Sequence, residues 1–257
     1  VVSLLRRLLR EVFNDGGELA VASSNSAARV IGGETIHSAL KMSAQQSLSI
    51  DKLAKVKVDN DSIDRLSALE AVIVEEVSLV PSALLGALSY RLCRARKITK
   101  GCDPELYTER GHMFGGVPIV MFLGDFYQLG PVRKGGLRSS LLHRLPNTAP
   151  VHARNGQRIF LDGVNHAMFL YETHRFVDRL ASPPQPCEFM PSFLQAMRNG
   201  AELTPDQRKV VRSWSVKPKD PRLAEKAMRD GFEMAIGWEA VNRQMQYRCL
   251  REAKEAG

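Results

Sequence analysis

Residues 117–132 read VPIVMFLGDFYQLGPV, and the apolar run that opens this stretch decides the fold class. Val117 to Leu123 is apolar without alternation, and it breaks off at Gly124-Asp125. A run of that length without polar relief reads as a strand buried on both faces, which belongs to a parallel sheet covered by helices. Two upstream runs have the same character: ELAVAS at residues 18–23, and Ala71-Val72-Ile73-Val74. Helical segments lie between them. SNSAARVIGG is capped by Ser24 and closed by Gly32-Gly33. TIHSALKM reads as a short helix, and so does Ser62 to Leu69. Pro81 to Arg96 has helical periodicity, with Pro81 near its start where a missing N–H is harmless. Strand and helix therefore alternate, as an α/β fold requires.

Other segments have weaker signals. Residues 43–61 and 97–116 read as polar loops, and 133–165 is too rich in Gly, Pro and Asn to assign. Ala167 to Tyr171 reads as a further strand. Phe189 to Arg198, Pro205 to Trp214 and Arg222 to Asp230 read as helices, followed by a strand at Phe232–Ile236 and a helix at Trp238–Arg251. At the start, Val1, Leu4, Leu5, Leu8, Leu9, Val12 and Phe13 follow amphipathic spacing, yet no N-cap precedes them. That favours a chain cut after an upstream segment over a helix at a natural terminus.

Composition narrows the partners. Lys and Arg number 36 against 28 Asp and Glu, a formal charge of +8, which favours polyanions. No apolar run approaches the ~18 residues of a membrane-spanning helix, so no membrane partner is expected. The four cysteines form no CxxC pair, which argues against a disulfide framework or a Cys-based zinc site and for a reducing intracellular setting.

Two strand ends carry the chemistry. In VIVEEVS, residues 72–78, a buried strand releases Glu75 and Glu76 at its C-terminal edge, where α/β sheets bind ligands. Paired acids there suit a nucleotide site, one holding Mg²⁺ directly or through water and the other orienting a water nucleophile. The competing reading is a solvated acidic turn. At the second end, Asp125 is followed by Gln128 in a turn bounded by Gly130-Pro131. An amide there can donate to a phosphate and accept from a water; otherwise this is an ordinary turn. The two ends together favour a nucleotide.

SSNSAARVIGGETIHSAL (residues 23–40), VIVEEVS and FLGDFYQLGPV resemble three successive motifs of the Pif-type DNA helicases, a superfamily 1 group that includes Helitron-type helicases. LYETHRF, FLQAMRNGAELTPDQ and EMAIGWEAVNRQMQYRCL, with its central Asn242, are similar to later stretches of that family, in the same order. The resemblance implies a RecA-like P-loop NTPase fold and an ATP-dependent helicase that moves 5′ to 3′ on DNA. It implies a first RecA-like domain over 1–175 without its P-loop strand, then a linker and the beginning of a second over 176–257. It also implies ATP and Mg²⁺ as cofactors, and single-stranded DNA and duplex junctions as partners. DNA repair, recombination and telomere maintenance are the implied settings, in the nucleus or mitochondrion of a eukaryote.

Carried over by position, Glu75 stands for the Mg²⁺-associated acid, Glu76 for the catalytic acid and Gln128 for the γ-phosphate sensor. Asp125 is the acid of the same motif as Gln128, and Arg175 is the arginine that reaches the γ-phosphate. Such an arginine is worth ~10³ to 10⁵ in rate in related phosphoryl transfer. Thr35, His37 and Ser38 match the segment along the DNA strand, where they would meet phosphates and not bases. Thr35 also reads as an N-cap, and His37 as a packed helix residue.

The departures from the family are specific. No GxxxxGK[ST] occurs, and Val132-Arg133-Lys134-Gly135-Gly136 has the wrong spacing. Glu75 replaces Asp, and Gly130 stands where Pro is usual. The expectation is a fragment truncated at both ends, unable to turn over ATP alone, whose incomplete sheet has two unpaired edges inside its core. A non-catalytic single-stranded nucleic-acid-binding remnant is the alternative, and another P-loop NTPase is a third reading. The basic stretch Arg91, Arg94, Arg96, Lys97 and Lys100 reads either as a nucleic-acid contact or as a solvated helix face. Phe126, Tyr127 and Trp238 are candidates for base stacking, with core packing the competing use for Phe126 and Trp238.

Overall fold

The computed structural model describes residues 2–13, 17–126, 128, 130–131, 141–142, 145–170, 177–178, 185–186 and 189–214. The chain divides into two compact units, Val1–Leu170 and Tyr171–Gly257. In the first, the described elements run α1 (Val2–Phe13), β1 (Glu18–Ala22), α2 (Asn25–Val30), β2 (Glu34–Thr35), α3 (Ile36–Ala39), α4 (Ile50–Ala54) and α5 (Asn60–Ser67). They continue as β3 (Ala71–Glu75), α6 (Ser82–Ala95), α7 (Lys97–Lys100), β4 (Ile119–Phe122) and α8 (Val151–Gly163).

The four strands form one parallel sheet in the order β2-β1-β3-β4. Alternation along each strand sorts its side chains between two cores. Leu19, Val21, Val72 and Val74 join Leu53, Leu66, Leu85, Leu88 and Ile159 on one face. Ala20, Ala71 and Ile73 join Leu9 and Ile31 on the other, packed by Phe13 of α1. Val72, Ile73 and Val74 are wholly buried, each worth about 1.5–3 kcal/mol relative to exposure. β4 differs, because all four of its residues are only half-buried. Parallel β pairing with helices on both faces was legible in the apolar runs.

The sheet corrects one expectation. Its four described strands pair without a gap, so there are no unpaired edges inside the core. The acidic strand β3 lies between β1 and β4, and β4 is an outer strand, so an added strand on that side could pair only beyond β4.

Three segments also depart from their sequence reading. Residues 43–61 contain α4, a helix that inserts the fully buried Leu53, while the Arg94 guanidinium donates to the Leu53, Ala54 and Val56 carbonyls at its end. Residues 97–116 contain α7 and two short 3₁₀ turns. The unassigned region contains α8, which packs on α6 through glycines. A Cβ on Gly156 would lie 1.7 Å from the Ser82 carbonyl oxygen, so only glycine permits this approach. Residues 167–170, expected as a strand, have no regular structure, and Met168, Phe169 and Leu170 are exposed. A short apolar run becomes a strand only where a neighbour pairs with it.

Two arginines of the basic stretch are framework, whereas Lys97 and Lys100 are exposed. Arg91 and Arg96 are almost fully buried. Arg96 donates to the carbonyls of Gly115, Leu66, Ser67 and Leu69, and Arg91 to those of Val56 and Leu40. These guanidiniums satisfy backbone acceptors that water cannot reach. Cys93 and Cys102 are buried free thiols that donate to the His112 and Gly115 carbonyls, and burial pushes the Cys93 thiol up to about 12.

In the second unit, β5 (Val177–Asp178) pairs antiparallel with β6 (Gln185–Pro186), followed by α9 (Phe189–Asn199) and α10 (Pro205–Trp214). Thr204 and Gln207 cap α10 reciprocally: the Gln207 amide donates to Thr204 Oγ1 at 3.2 Å, and the Thr204 amide to Gln207 Oε1 at 3.0 Å. The Gln207 side chain also donates to Ser192 Oγ of α9. Both helices match their sequence reading. The elements read over 222–251, with Trp238 and Asn242, lie outside the described residues.

Candidate nucleotide and nucleic-acid site

The C-terminal ends of the parallel strands collect nearly all the predicted site residues that are described. Glu75 ends β3. The Leu123 amide donates to the Val74 carbonyl at 2.9 Å, and the Val77 amide donates to the Leu123 carbonyl at 2.9 Å. The acidic pair is thus stitched to the strand end that bears Gly124-Asp125. Gly124 permits this closeness: at φ +155° its own Cβ would stand 2.9 Å from the Val77 nitrogen. Asp125 is half-buried, and its carbonyl accepts from the Gln128 amide at 3.0 Å, which turns the exposed Gln128 back at the same end.

Glu76 adopts the left-handed conformation, φ 51° and ψ 48°, directly before a 3₁₀ turn. For a non-glycine residue that costs about 1–2 kcal/mol, a strain that concentrates where a side chain must be aimed. Glu75 is the electrostatic anomaly. Its Oε2 is buried and has no hydrogen-bond partner. Burial, and then the neighbouring Glu76 charge, raise its carboxyl above the ordinary carboxylate range.

That orphaned oxygen provides a test of whether Mg²⁺ fits. Carboxylate oxygens suit a hard cation, and a buried oxygen without a donor is stabilised by one. No group of three or more ligating side chains lies together among the described residues. Among the described residues the site would thus supply few ligands, and a bound Mg²⁺ would depend on water and phosphate for the rest, its usual manner at nucleotides.

The candidate DNA-facing residues lie at the same sheet edge. Thr35 and Glu75 are both register partners of Ala22, on opposite sides of β1. Two strand spacings separate them, roughly 10 Å. Thr35 is an N-cap, its Oγ1 accepting from the Ser38 amide at 3.1 Å, which leaves its hydroxyl proton free to donate. His37 is half-buried, with Nε2 3.2 Å from Ser47 Oγ, and burial lowers its pKa. Ser38 is exposed. Phe126 packs edge-on against Phe160, with centroids 5.7 Å apart. Arg175, Tyr127 and the segment 132–136 lie outside the described residues. Sequence reading missed Glu34 and Arg65, which pair with each other beside the Thr35–Ser38 segment. An arginine on a polar helix face carries no sign of the carboxylate it will meet.

Comparison with known proteins bears on the family and the fold. The model of the PIF1-like helicase family matches residues 3–165. The ATP-dependent DNA helicase PIF1 of Saccharomyces cerevisiae is 33% identical over 129 residues, which are 50% of this chain and 13% of that protein. The ATP-dependent DNA helicase Pif1 of Bdellovibrio bacteriovorus is 29% identical over 136 residues, 52% of this chain and 28% of that protein. The matched region thus spans well under a third of either relative. A crystal structure of Bacteroides Pif1 in complex with ADP-AlF3 and ssDNA covers 92% of this chain and 51% of its own, with a TM-score of 0.50 at 19% identity, a likeness of fold. The parallel sheet flanked by helices is the RecA-like fold. With a family match that takes in well over half of its residues, this chain belongs to the PIF1-like helicase family.

Proposed function

We propose that this chain is part of a longer ATP-dependent DNA helicase that couples ATP hydrolysis to 5′-to-3′ unwinding. The observation that carries the reading is the stitched strand end: two adjacent carboxylates, one strained and one with a buried unpaired oxygen, beside Asp125 and the Gln128 turn. Glu76, aimed by its left-handed backbone, accepts the proton of the attacking water. Gln128 reports the γ-phosphate through its amide, and Asp125 fixes the turn that carries it. Arg175, which lies outside the described residues, is assigned by its motif position alone the balancing of charge on the γ-phosphate. Glu75 would hold Mg²⁺ through water, and the bound cation would neutralise phosphate charge. Thr35, His37 and Ser38 contact the phosphates of single-stranded DNA, about two strand spacings from the acidic pair. DNA repair, recombination and telomere maintenance are the processes in which such an enzyme would serve.

The phosphate-cradling loop GxxxxGK[ST] is not in these 257 residues, so turnover is a property of the longer protein. Unwinding of a forked duplex with a 5′ tail, dependent on ATP, tests the reading. A longer protein that binds such forks but neither hydrolyses ATP nor separates strands supports instead a non-catalytic binding remnant, to which the replacement of Asp by Glu75 points. Robust DNA-stimulated ATP turnover by the 257 residues alone would overturn the dependence on the longer protein.

A further inference from the structure

The segment Thr35–Ser38 is held from both ends by one side chain that no motif singles out. Arg65, on α5, donates through Nη1 to Glu34 Oε1 at 2.5 Å and through Nη2 to the Ala39 carbonyl. Glu34 precedes Thr35, and Ala39 ends α3, so the guanidinium fork spans the whole stretch. The other Glu34 oxygen accepts from the Ser38 hydroxyl at 3.4 Å. α5 is itself fixed beside α3: its N-cap Asp59 accepts from the Ser62 amide at 3.0 Å and pairs with Lys41, just beyond α3, at 3.0 Å.

This arrangement has an electrostatic consequence for an anionic ligand. Glu34 places a carboxylate directly beside Thr35 and Ser38, where an unbalanced negative charge would repel a phosphate. Arg65 cancels that charge with the donor geometry suited to a carboxylate, and uses its second arm to fix the backbone. We infer that Arg65 is a positioning residue for nucleic-acid binding: it neutralises Glu34 and holds Thr35–Ser38 in the geometry that presents the Thr35 hydroxyl to a phosphate. This rests on the reading of Thr35–Ser38 as the DNA-facing segment. Arg65 itself need not touch DNA.

The test is fluorescence-anisotropy titration of labelled oligothymidylate over a salt series, with the 257-residue chain and its variants, folding being scored by thermal melting. Arg65→Gln is expected to weaken binding about tenfold, as one uncompensated charge near the surface requires. Glu34→Gln alone is expected to bind at least as tightly as the wild type. The double variant Glu34→Gln/Arg65→Gln is expected to regain most of the lost affinity, with the salt slope unchanged. A merely structural role would not give that rescue. Arg65→Gln binding like the wild type would overturn the inference. So would an unrescued double variant whose slope falls by about 0.7, because Arg65 would then be a direct phosphate contact. If Arg65→Gln does not fold, Glu34→Gln decides: weaker binding than the wild type contradicts the inference. A wild type that binds no oligothymidylate removes the DNA-facing reading itself, an outcome distinct from wild-type binding that is indifferent to Arg65.

Discussion

The Val77 amide donates to the Leu123 carbonyl at 2.9 Å, so the residue that follows the acidic pair is bonded to the residue that precedes Gly124-Asp125. This one bond turns two strand ends, far apart in sequence, into a single constellation. It works because Gly124 has no side chain: a Cβ there would collide with the same Val77 nitrogen. The acidic pair and the Asp125–Gln128 turn are therefore joined at one end of the sheet.

Glu75 links stability to function with opposite signs. Its folded-state carboxyl titrates above its ordinary value, so the folded state binds the proton more tightly than the unfolded chain. Stability is then full below the unfolded pKa, about 4.3, and declines as pH rises through the folded pKa. Glu75→Gln removes that decline. Expected in thermal melts without nucleotide or Mg²⁺ is a higher Tm than wild type at pH 7, with the difference shrinking towards pH 4. The same variant of the longer protein loses Mg²⁺-dependent nucleotide affinity, whereas Glu75→Asp retains it.

Gly156 tests the packing of α8 on α6. A methyl group in that crossing would meet the Ser82 carbonyl oxygen at 1.7 Å, so the helices must separate. Gly156→Ala is expected to destabilise the chain by about 1–3 kcal/mol in urea unfolding, despite alanine's better helix propensity. Unchanged or increased stability would mean that the two helices are not in this contact.

Arg96 tests whether the basic stretch is framework or nucleic-acid surface. Arg96→Met leaves the Leu66, Ser67, Leu69 and Gly115 carbonyls without their donor. A loss of about 3 kcal/mol or more is expected from these unsatisfied buried acceptors. The salt dependence of oligothymidylate binding by the folded fraction should stay as in the wild type. A slope lower by about 0.7 would instead assign Arg96 to a phosphate.

What the sequence disclosed and what it hid follow from how local each signal is. The runs at 18–22 and 71–75 were legible because inner strands of a covered parallel sheet are apolar along nearly their whole length, whereas 119–122, equally apolar, is half-buried as the outer described strand. The Ser24 and Thr35 caps were legible because capping acts within three residues. α8 was hidden because Gly156, which looks like a helix breaker, is required by a contact with α6. α4 was hidden because its end is satisfied by Arg94, some 40 residues away. Arg91 and Arg96 fit neither sequence reading, nucleic-acid contact or solvated face, because charge alone does not disclose that a guanidinium faces backbone carbonyls. For the site, Glu75, Glu76, Asp125 and Gln128 could be named from the strand ends, but the strain at Glu76 and the orphaned Glu75 oxygen needed the fold.

Glu76 bears most directly on the central reading, and the decisive measurement is steady-state ATP hydrolysis by the longer protein proposed to contain this chain. Wild type and Glu76→Gln are compared with and without single-stranded DNA, alongside nucleotide and oligothymidylate binding. Expected is DNA-stimulated hydrolysis in the wild type and a fall in kcat of about 10²–10⁴ in Glu76→Gln, with both ligands still bound. A Glu76→Gln protein that hydrolyses ATP as fast as the wild type would contradict the assignment of the strand-end carboxylates as the catalytic site.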